Sequence, residues 1–185
     1  MITDIIQKLV ERTDLTEQEA RSVMEEIMTG QATDVQVAGF LTALRMKGET
    51  STELIGFARV MREKAEPLWN GEVPAVLDTC GTGGDGSGTF NISTAAAVVA
   101  AGAGIKIAKH GNRSASSRCG SADVMEALGL DIQMPIERLR RAITEVGVGF
   151  LFAPRFHISM KHVVPARTQL KIRTVFNMLG PLGHP

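Results

Sequence analysis

The chain has 185 residues, of which 44% are hydrophobic and 22% charged, and its formal net charge is zero. This length suffices for one ordinary domain, or for one small domain with part of another, and the apolar content supplies a sizeable core. The balanced charge argues against a general nucleic-acid binder and against a protein that binds membranes through a basic surface. Two cysteines without a secretory leader predict a cytoplasmic chain with free thiols, rather than a Cys80–Cys119 disulfide.

The first third of the chain contains three capping boxes, in which a threonine is followed three residues later by Glu or Gln. They begin at Thr16, Thr33 and Thr50, and each precedes apolar residues at helical spacing. A shorter helix, capped by Thr3, is predicted before them. Residues 1–67 are therefore expected to form a small N-terminal helical domain, whose exposed surface is a candidate dimer face.

After a turn-rich segment, short apolar strands alternate with helices from residue 75 onward. The predicted elements, in chain order, are strand 75–78, helix 92–101, strand 105–108, helix 122–128, helix 136–145 and strand 148–152. Strand, helix and strand in succession indicate a parallel sheet with right-handed crossovers. The predicted fold class is α/β: the small helical domain plus part of a larger α/β domain, over residues 75–159, with a mainly parallel sheet.

The last segment, residues 160–185, is predicted to return as a helix toward the helical domain, with an interruption near Pro165. The closing residues 179–185 have the composition of a turn. Three strands are few for an open parallel sheet, since both of its faces must be covered. We therefore expect the α/β domain to be incomplete and the chain to be truncated.

The strongest functional signal is a glycine-rich loop with five glycines between residues 81 and 88, followed by an Ala- and Val-rich helix. Glycine allows the backbone to approach a ligand closely, and a helix N-terminus presents unpaired N–H groups and a positive dipole end. Together they predict a phosphate or pyrophosphate site. The loop matches neither a Walker P-loop nor a clean dinucleotide fingerprint. Asn91 and Ser93 either bind phosphate or merely cap the helix; Asp85 either contacts a sugar hydroxyl or Mg²⁺, or is a turn residue.

A second loop, residues 109–118, follows the next predicted strand and combines Lys109, His110, two arginines and three serines. Such a loop suits a polyanion, because Lys and Arg supply charge and Ser supplies directed donors. A solvated basic surface loop is the alternative. Since both loops leave the carboxyl ends of parallel strands, they are expected to face one crevice.

These segments resemble anthranilate phosphoribosyltransferases, members of the nucleoside phosphorylase-like phosphoribosyltransferase family. The motifs that carry the resemblance are Leu44–Thr50, Asp78–Asp85, Phe90–Thr94, Lys109–Arg113, Gly120–Asp123 and Arg173–Leu182. The Lys109 loop is also similar to that of pyrimidine nucleoside phosphorylases, which share the fold. A nucleoside phosphorylase relative and a non-catalytic donor-binding fragment therefore remain open as alternatives.

The resemblance implies transfer of phosphoribose from phosphoribosyl pyrophosphate (PRPP) to the amine of anthranilate, in tryptophan biosynthesis, with Mg²⁺ as cofactor and a homodimer as the assembly. It implies no catalytic nucleophile, and the balanced charge indicates neither nucleic acid nor a membrane as partner. Anthranilate would contact Gly81, Asn112 and Arg167, and Ser93 would be a metal ligand. PRPP would be bound by Gly81, Gly84, Asp85, Thr89, Asn91, Ile92, Ser93, Thr94, Lys109, His110, Gly111, Asn112, Arg113, Ser114, Ala115, Ser116, Ser117 and Ser121.

The chain departs from the pattern of this family in three ways. The sequence His157-Ile158-Ser159 replaces the usual His-Pro-Ala, and Lys171 stands where glycine is common. The acidic Asp-Glu pair that holds metal in the family would lie beyond Pro185. We therefore expect this chain alone to lack a complete metal site.

Overall fold

The computed structural model describes residues 1–82, 88–114 and 119–184. They form two compact units. The first comprises Met1–Ala65 and His157–His184 and is called here the helical unit. The second, Glu66–Phe156, is called the α/β unit because it contains the described strands. The predicted fold class, helical domain plus α/β domain with a parallel sheet, is confirmed.

The helices and strands alternate along the chain much as the sequence predicts. In chain order they are α1 (Ile2–Val10), α2 (Glu17–Met28), α3 (Asp34–Lys47), α4 (Ser51–Glu63), α5 (Ile92–Gly102), β1 (Ile107–Gly111), α6 (Ser121–Ala127), α7 (Ile136–Arg141), a π-helical turn (Ala142–Val146), β2 (Val148–Phe152), α8 (Ala153–Phe156), a 3-10 helix (Ile158–His162), α9 (Val164–Leu170) and α10 (Val175–Leu182). Among the described residues, none of these helices is both long and apolar enough to cross a membrane.

All three predicted capping boxes are present in the helical unit. The hydroxyls of Thr16, Thr33 and Thr50 accept from backbone N–H groups at 3.2–3.3 Å, and each helix returns a side-chain acceptor to its cap. The prediction that Thr3 caps the first helix is wrong. Helix α1 already begins at Ile2, whose side chain is buried in the core, so Thr3 lies within the first turn.

The core of the helical unit draws on both of its chain segments. Phe40 of α3 and Phe57 of α4 meet edge to face, with ring centroids 5.9 Å apart. Val163, Val175 and Leu179 of the second segment are buried in the same apolar cluster. The helical unit is therefore completed by residues that follow the α/β unit in the sequence.

The last segment has the predicted interruption near Pro165, because the 3-10 helix ends at His162 and α9 begins at Val164. Pro165 lies in the first turn of α9, where its missing N–H costs nothing. A second break, which the sequence did not predict, lies at Lys171, which ends α9 with a positive φ of 52°. The turn expected from residue 179 is wrong up to Leu182, because Leu179 is buried and α10 continues through Pro181 until Gly183 donates to the Leu179 carbonyl at 2.8 Å.

The described sheet of the α/β unit pairs β1 with β2 in parallel, with Ile107 opposite Val148 and Gly111 opposite Phe152. On the other edge of β1, the predicted strand 75–78 is reduced to a parallel bridge between Leu77 and Ile107. The π-helical turn after α7 packs closely on β2 at Gly149, where a Cβ would lie 2.6 Å from Cγ1 of Ile143. All three extended segments run in the same direction, so their carboxyl ends lie at one edge.

Candidate functional site

Two loops leave this carboxyl edge next to each other, and Asp78 joins them. Its Oδ1 accepts from the backbone N–H of Cys80 at 2.9 Å, within its own loop. The same oxygen accepts from the N–H of His110 on β1 at 3.0 Å. The start of the glycine-rich loop is thereby fixed against the strand that leads into the basic loop.

Helix α5 begins beside both loops. The hydroxyl of Thr79 donates to the carbonyl of Ser93 at 2.8 Å, which holds the first turn of α5 against the first loop. Asn91 occupies the N-cap position, yet its side chain does not cap the helix. Instead its amide donates to the carbonyl of Cys119 at 3.3 Å. Of the two interpretations of Asn91, side-chain capping is therefore wrong, and the residue links α5 to the segment that closes the basic loop.

The basic loop is organised by Asp123, in the first turn of α6. Its Oδ2 accepts from the N–H of Gly120 at 2.7 Å and from that of Ser114 at 3.3 Å. The hydroxyl of Ser121 donates to the carbonyl of Asn112 at 3.3 Å. The two described ends of the loop are therefore held together by one carboxylate and one hydroxyl.

Arg113 has carboxylate partners within the unit. Its guanidinium lies 2.9 Å from Oδ1 of Asp123 and 2.9 Å from Oε2 of Glu126. These contacts raise the pKa of Arg113, with the hydrogen bond to Glu126 as the main cause. A phosphate that binds Arg113 would have to share the guanidinium with α6.

Lys109 and His110 are buried, 2% and 4% exposed, although both belong to the predicted anion loop. Burial lowers the pKa of the Lys109 ammonium, because the charged form is poorly solvated there. Burial, and then the charge of Asp78, raise the pKa of the Cys80 thiol to about 11. Cys80 is therefore a protonated thiol at neutral pH.

The other predicted site residues divide by location. Gly81, Thr89, Ile92 and Asn112 are exposed, whereas Thr94 is buried. Arg167 belongs to the helical unit, where its guanidinium lies 5.6 Å from the ring centroid of Phe176 and burial lowers its pKa. The predicted residues that lie outside the described part of the chain are Gly84, Asp85, Ala115, Ser116 and Ser117.

Sequence reasoning missed the organising roles of Asp78 and Asp123. The signal for Asp78 was its position directly after an apolar strand, where an aspartate commonly accepts from the N–H two residues later. The signal for Asp123 was its position three residues after Gly120, the spacing of a capping box. Both contacts are local, but neither pattern indicates the second, longer-range N–H that each carboxylate also accepts.

Comparisons with known proteins match both units. The helical bundle domain of a glycosyl transferase family matches residues 3–65, and the a/b domain of that family matches residues 73–185. This chain belongs to that glycosyl transferase family.

Cys80 and Cys119 are both thiols and form no disulfide with each other, as the sequence predicts.

Within the family, the chain is similar to anthranilate phosphoribosyltransferases. It is 58% identical to that of Chloroflexus aurantiacus over all 185 residues, which cover 54% of that protein. The crystal structure from Thermus thermophilus has a TM-score of 0.89 and 51% identity, over 97% of this chain and 54% of that one. The enzyme from Saccharomyces cerevisiae in complex with PRPP and Mg has a TM-score of 0.88 and 34% identity, over 100% of this chain and 55% of that one. The resemblance predicted from the motifs is confirmed, and the chain spans about half the length of these relatives.

Proposed function

We propose that this chain supplies the donor-binding part of an anthranilate phosphoribosyltransferase. The observation that carries the proposal is the junction of the two loops and the start of α5, tied by Asp78, Thr79 and Asn91. The chain is also 58% identical over its full length to an anthranilate phosphoribosyltransferase. A phosphate-binding loop, a helix N-terminus and a basic loop at one sheet edge suit the diphosphate of PRPP.

The proposed reaction breaks the bond between C1 of the ribose and the pyrophosphate oxygen, and forms a bond between C1 and the anthranilate nitrogen. The amine loses one proton, and the products are phosphoribosylanthranilate and pyrophosphate. Positive charge develops on the sugar while negative charge collects on the leaving group. The protein mainly aligns the reactants and stabilises these charges, so that no covalent intermediate is required.

Charge on the leaving pyrophosphate would be stabilised by Lys109 and by the N–H groups at the start of α5. Lys109 is buried on β1, so its ammonium gains more from an anion than an exposed lysine would. Arg113 would contribute by sharing its guanidinium between the donor and the carboxylates of α6.

Mg²⁺ is the cofactor that the proposed function implies. The half-buried Ser93 in the first turn of α5 offers a hydroxyl oxygen, a donor type that suits this ion. Ser93 would supply one ligand of Mg²⁺, which also keeps several waters and binds substrate phosphates. When bound, it would neutralise charge on the pyrophosphate.

The acceptor residues, Gly81, Asn112 and Arg167, are carried over from the family resemblance and are part of the proposal. Gly81 and Asn112 are exposed at the loops of the α/β unit. Arg167 offers a guanidinium whose planar fork suits the carboxylate of anthranilate.

Calorimetric titration of the 185-residue chain with PRPP and Mg²⁺ tests donor binding. Turnover is measured as loss of anthranilate fluorescence in the longest natural chain that contains this sequence. Lys109→Met is expected to weaken PRPP binding by a factor of ten or more, because a buried charge is removed and the volume is kept. Lys106→Met, in the exposed segment just before β1, is the matched control and should bind as the wild type does.

Saturable PRPP binding that is weakened by Lys109→Met and spared by Lys106→Met supports the proposal. Equal loss in both variants contradicts the role of Lys109. Phosphorolysis of thymidine without turnover of anthranilate would instead assign the chain to the nucleoside phosphorylases.

A homodimer and a cytoplasmic location belong to the same proposal. Val35 and Met46 of α3 are 82% and 72% exposed, and such apolar side chains on the helical unit support a dimer face. Light scattering after gel filtration should give twice the monomer mass, which a Val35→Glu, Met46→Glu variant should halve.

A further inference from the structure

Three side chains of different chemistry meet where the first loop leaves the sheet. A carboxylate oxygen of Asp78, the sulfur of Cys80 and a ring nitrogen of His110 all lie within 4.8 Å of one another. His110 is buried, whereas Asp78 and Cys80 are half-buried. No step of the proposed transfer reaction uses this combination of donors.

The backbone fixes the positions of these three residues. Leu77 pairs with β1 through the N–H of Ala108, at 3.0 Å from the Leu77 carbonyl. The N–H groups of Cys80 and His110 both donate to Oδ1 of Asp78, so this carboxylate holds the other two residues beside it. The cluster is therefore built into the sheet edge and is not a chance meeting of surface side chains.

We propose that Asp78, Cys80 and His110 form a binding site for a zinc-class transition-metal ion. One sulfur, one imidazole nitrogen and one carboxylate oxygen are ligands that Zn²⁺, Co²⁺ and Cd²⁺ accept, whereas Mg²⁺ prefers oxygen alone. Three protein ligands leave a fourth position for water or an incoming anion. This inference does not depend on the proposed transferase function.

The separation of the ligand atoms is close to what such an ion requires. Tetrahedral Zn²⁺, with bonds of about 2.3 Å to sulfur and about 2.0 Å to nitrogen, sets neighbouring ligands about 3.5 Å apart. The ligand atoms, which lie within 4.8 Å of one another, would approach to about 3.5 Å on binding. Rotation of the half-buried Cys80 side chain can supply part of this change while Asp78 keeps its two hydrogen bonds.

Metal binding would replace a proton on Cys80. The thiolate is the ligand form, and Lys109 is the neighbouring cation that already favours it, while Asp78 opposes it. An ion in the site would turn Asp78 from an opposing charge into a ligand. Lys109 would repel the ion, and this repulsion would weaken the binding of the metal to the site.

Cobalt provides a direct spectroscopic test. The 185-residue chain, with any affinity tag removed, is titrated with Co²⁺, and a thiolate-to-cobalt charge-transfer band is expected in the near ultraviolet. Zn²⁺ should abolish the band at stoichiometric addition, whereas excess Mg²⁺ should not. The absence of a band in the wild-type chain, or its removal by Mg²⁺, would overturn the proposal.

Variants then assign the ligands. Cys80→Ser should remove the charge-transfer band, and His110→Gln should weaken Zn²⁺ binding by a factor of ten or more in calorimetry. Cys119→Ser is the matched control, because its thiol is exposed and outside the cluster, and it should retain both signals. Loss of the band in Cys119→Ser but not in Cys80→Ser contradicts the assignment. Far-ultraviolet circular dichroism checks that each variant is folded, and the wild-type titration decides the matter if one is not.

Discussion

The ammonium of Lys47 lies 2.9 Å from Oε1 of Glu53, and the two side chains are only 3% and 0% exposed. Lys47 also contacts Oδ1 of Asp14 at 2.7 Å, and Glu53 accepts from the N–H of Leu15 at 2.9 Å and of Thr50 at 2.8 Å. Burial acts to lower the pKa of Lys47, but the hydrogen bonds to Asp14 and Glu53 outweigh it and raise the pKa. The pair therefore joins the end of α3, the start of α4 and the segment before α2.

Glu53→Ala should lower the free energy of unfolding of the helical unit by about 3–5 kcal/mol, because Lys47 would lose its buried carboxylate partner and the N–H groups of Leu15 and Thr50 would lose their acceptor. Urea unfolding followed by circular dichroism measures the change. The control is Arg59→Ala. Arg59 lies in α4, as Glu53 does, and its removal breaks an exposed ion pair with Glu17 of α2. It should change the stability by less than about 0.5 kcal/mol. Similar effects of the two substitutions would mean that burial of the Lys47–Glu53 pair is unimportant.

Two glycines within helices should respond to alanine with opposite signs. A Cβ on Gly56 of α4 would lie 2.8 Å from both the Cβ of Ala20 and the carbonyl oxygen of Glu17, so Gly56→Ala should cost about 1–3 kcal/mol. A Cβ on Gly39 of α3 would meet Cδ1 of Ile6 at an ordinary 3.6 Å. Gly39→Ala should therefore stabilise by about 0.5–1 kcal/mol through helix propensity. Thermal unfolding of both variants tests the prediction, and a gain in Gly56→Ala would contradict the close packing of α4 on α2.

Lys171→Gly should stabilise the helical unit by about 0.5–1 kcal/mol, because the backbone there is unfavourable for residues with a Cβ. Lys171 ends α9 with φ of 52° and ψ of 26°, a left-handed conformation. Gln169→Gly, within α9, is the control and should destabilise by about 0.5–1 kcal/mol. The prediction is supported if the denaturation midpoint of Lys171→Gly lies above that of the wild type and the midpoint of Gln169→Gly lies below it. A loss in Lys171→Gly would indicate that the lysine side chain contributes more than the strain costs.

Ionised Glu19 should stabilise the folded helical unit, and this contribution should be lost in acid. The hydrogen bond from Lys8, and then those from Thr16, lower the pKa of Glu19 from its ordinary value of 4.5 to about 2. Because the folded pKa is the lower one, the contribution is complete above pH 4.5 and is lost as the pH falls toward 2. The side chain is 34% exposed, so solvent screening leaves about 1 kcal/mol. The stability gap between wild type and Glu19→Gln should narrow as the pH falls from 4.5 toward about 2; a gap that stays constant over this range would be the contrary result.

Gly120→Ala should weaken PRPP binding by a factor of ten or more if the proposed function is correct. A Cβ there would lie 2.3 Å from the backbone nitrogen of Ser114 and 2.7 Å from the carbonyl oxygen of Asn112. The donor-binding segment would have to move, since these contacts are with backbone rather than with flexible side-chain ends. Gly102→Ala, where a Cβ meets nothing within 4 Å, is the control and should bind normally in the same calorimetric titration.

Several structural features that depend on residues close together in the sequence were predicted correctly. The capping boxes at Thr16, Thr33 and Thr50 each involve residues three positions apart, and all three formed as expected. The helix after the glycine-rich loop was also placed within one residue of its observed end. The end of α9 could not be located from the sequence, because Lys171 adopts a conformation that its residue type disfavours.

The site was predictable as a set of segments but not as a network. Parallel strands place their loops at one edge, so the meeting of the two loops followed from the order of elements. The acceptors that organise the loops, Asp78 and Asp123, bond to N–H groups up to 32 residues away in sequence. The sequence also gives no indication that Asn91 contacts the carbonyl of Cys119, because the two residues are 28 positions apart.

The core of the helical unit is shared by two segments separated by the α/β unit, Glu66–Phe156, which has a consequence during synthesis. Helices α1 to α4 leave the ribosome first, but Val163, Val175 and Leu179 follow only after the whole α/β unit has been translated. At about 5–20 residues per second, this delay is about 5–20 s. During that interval the part of the α1 to α4 core that Val163, Val175 and Leu179 later cover is exposed, so the nascent chain is a predicted client of ribosome-associated chaperones.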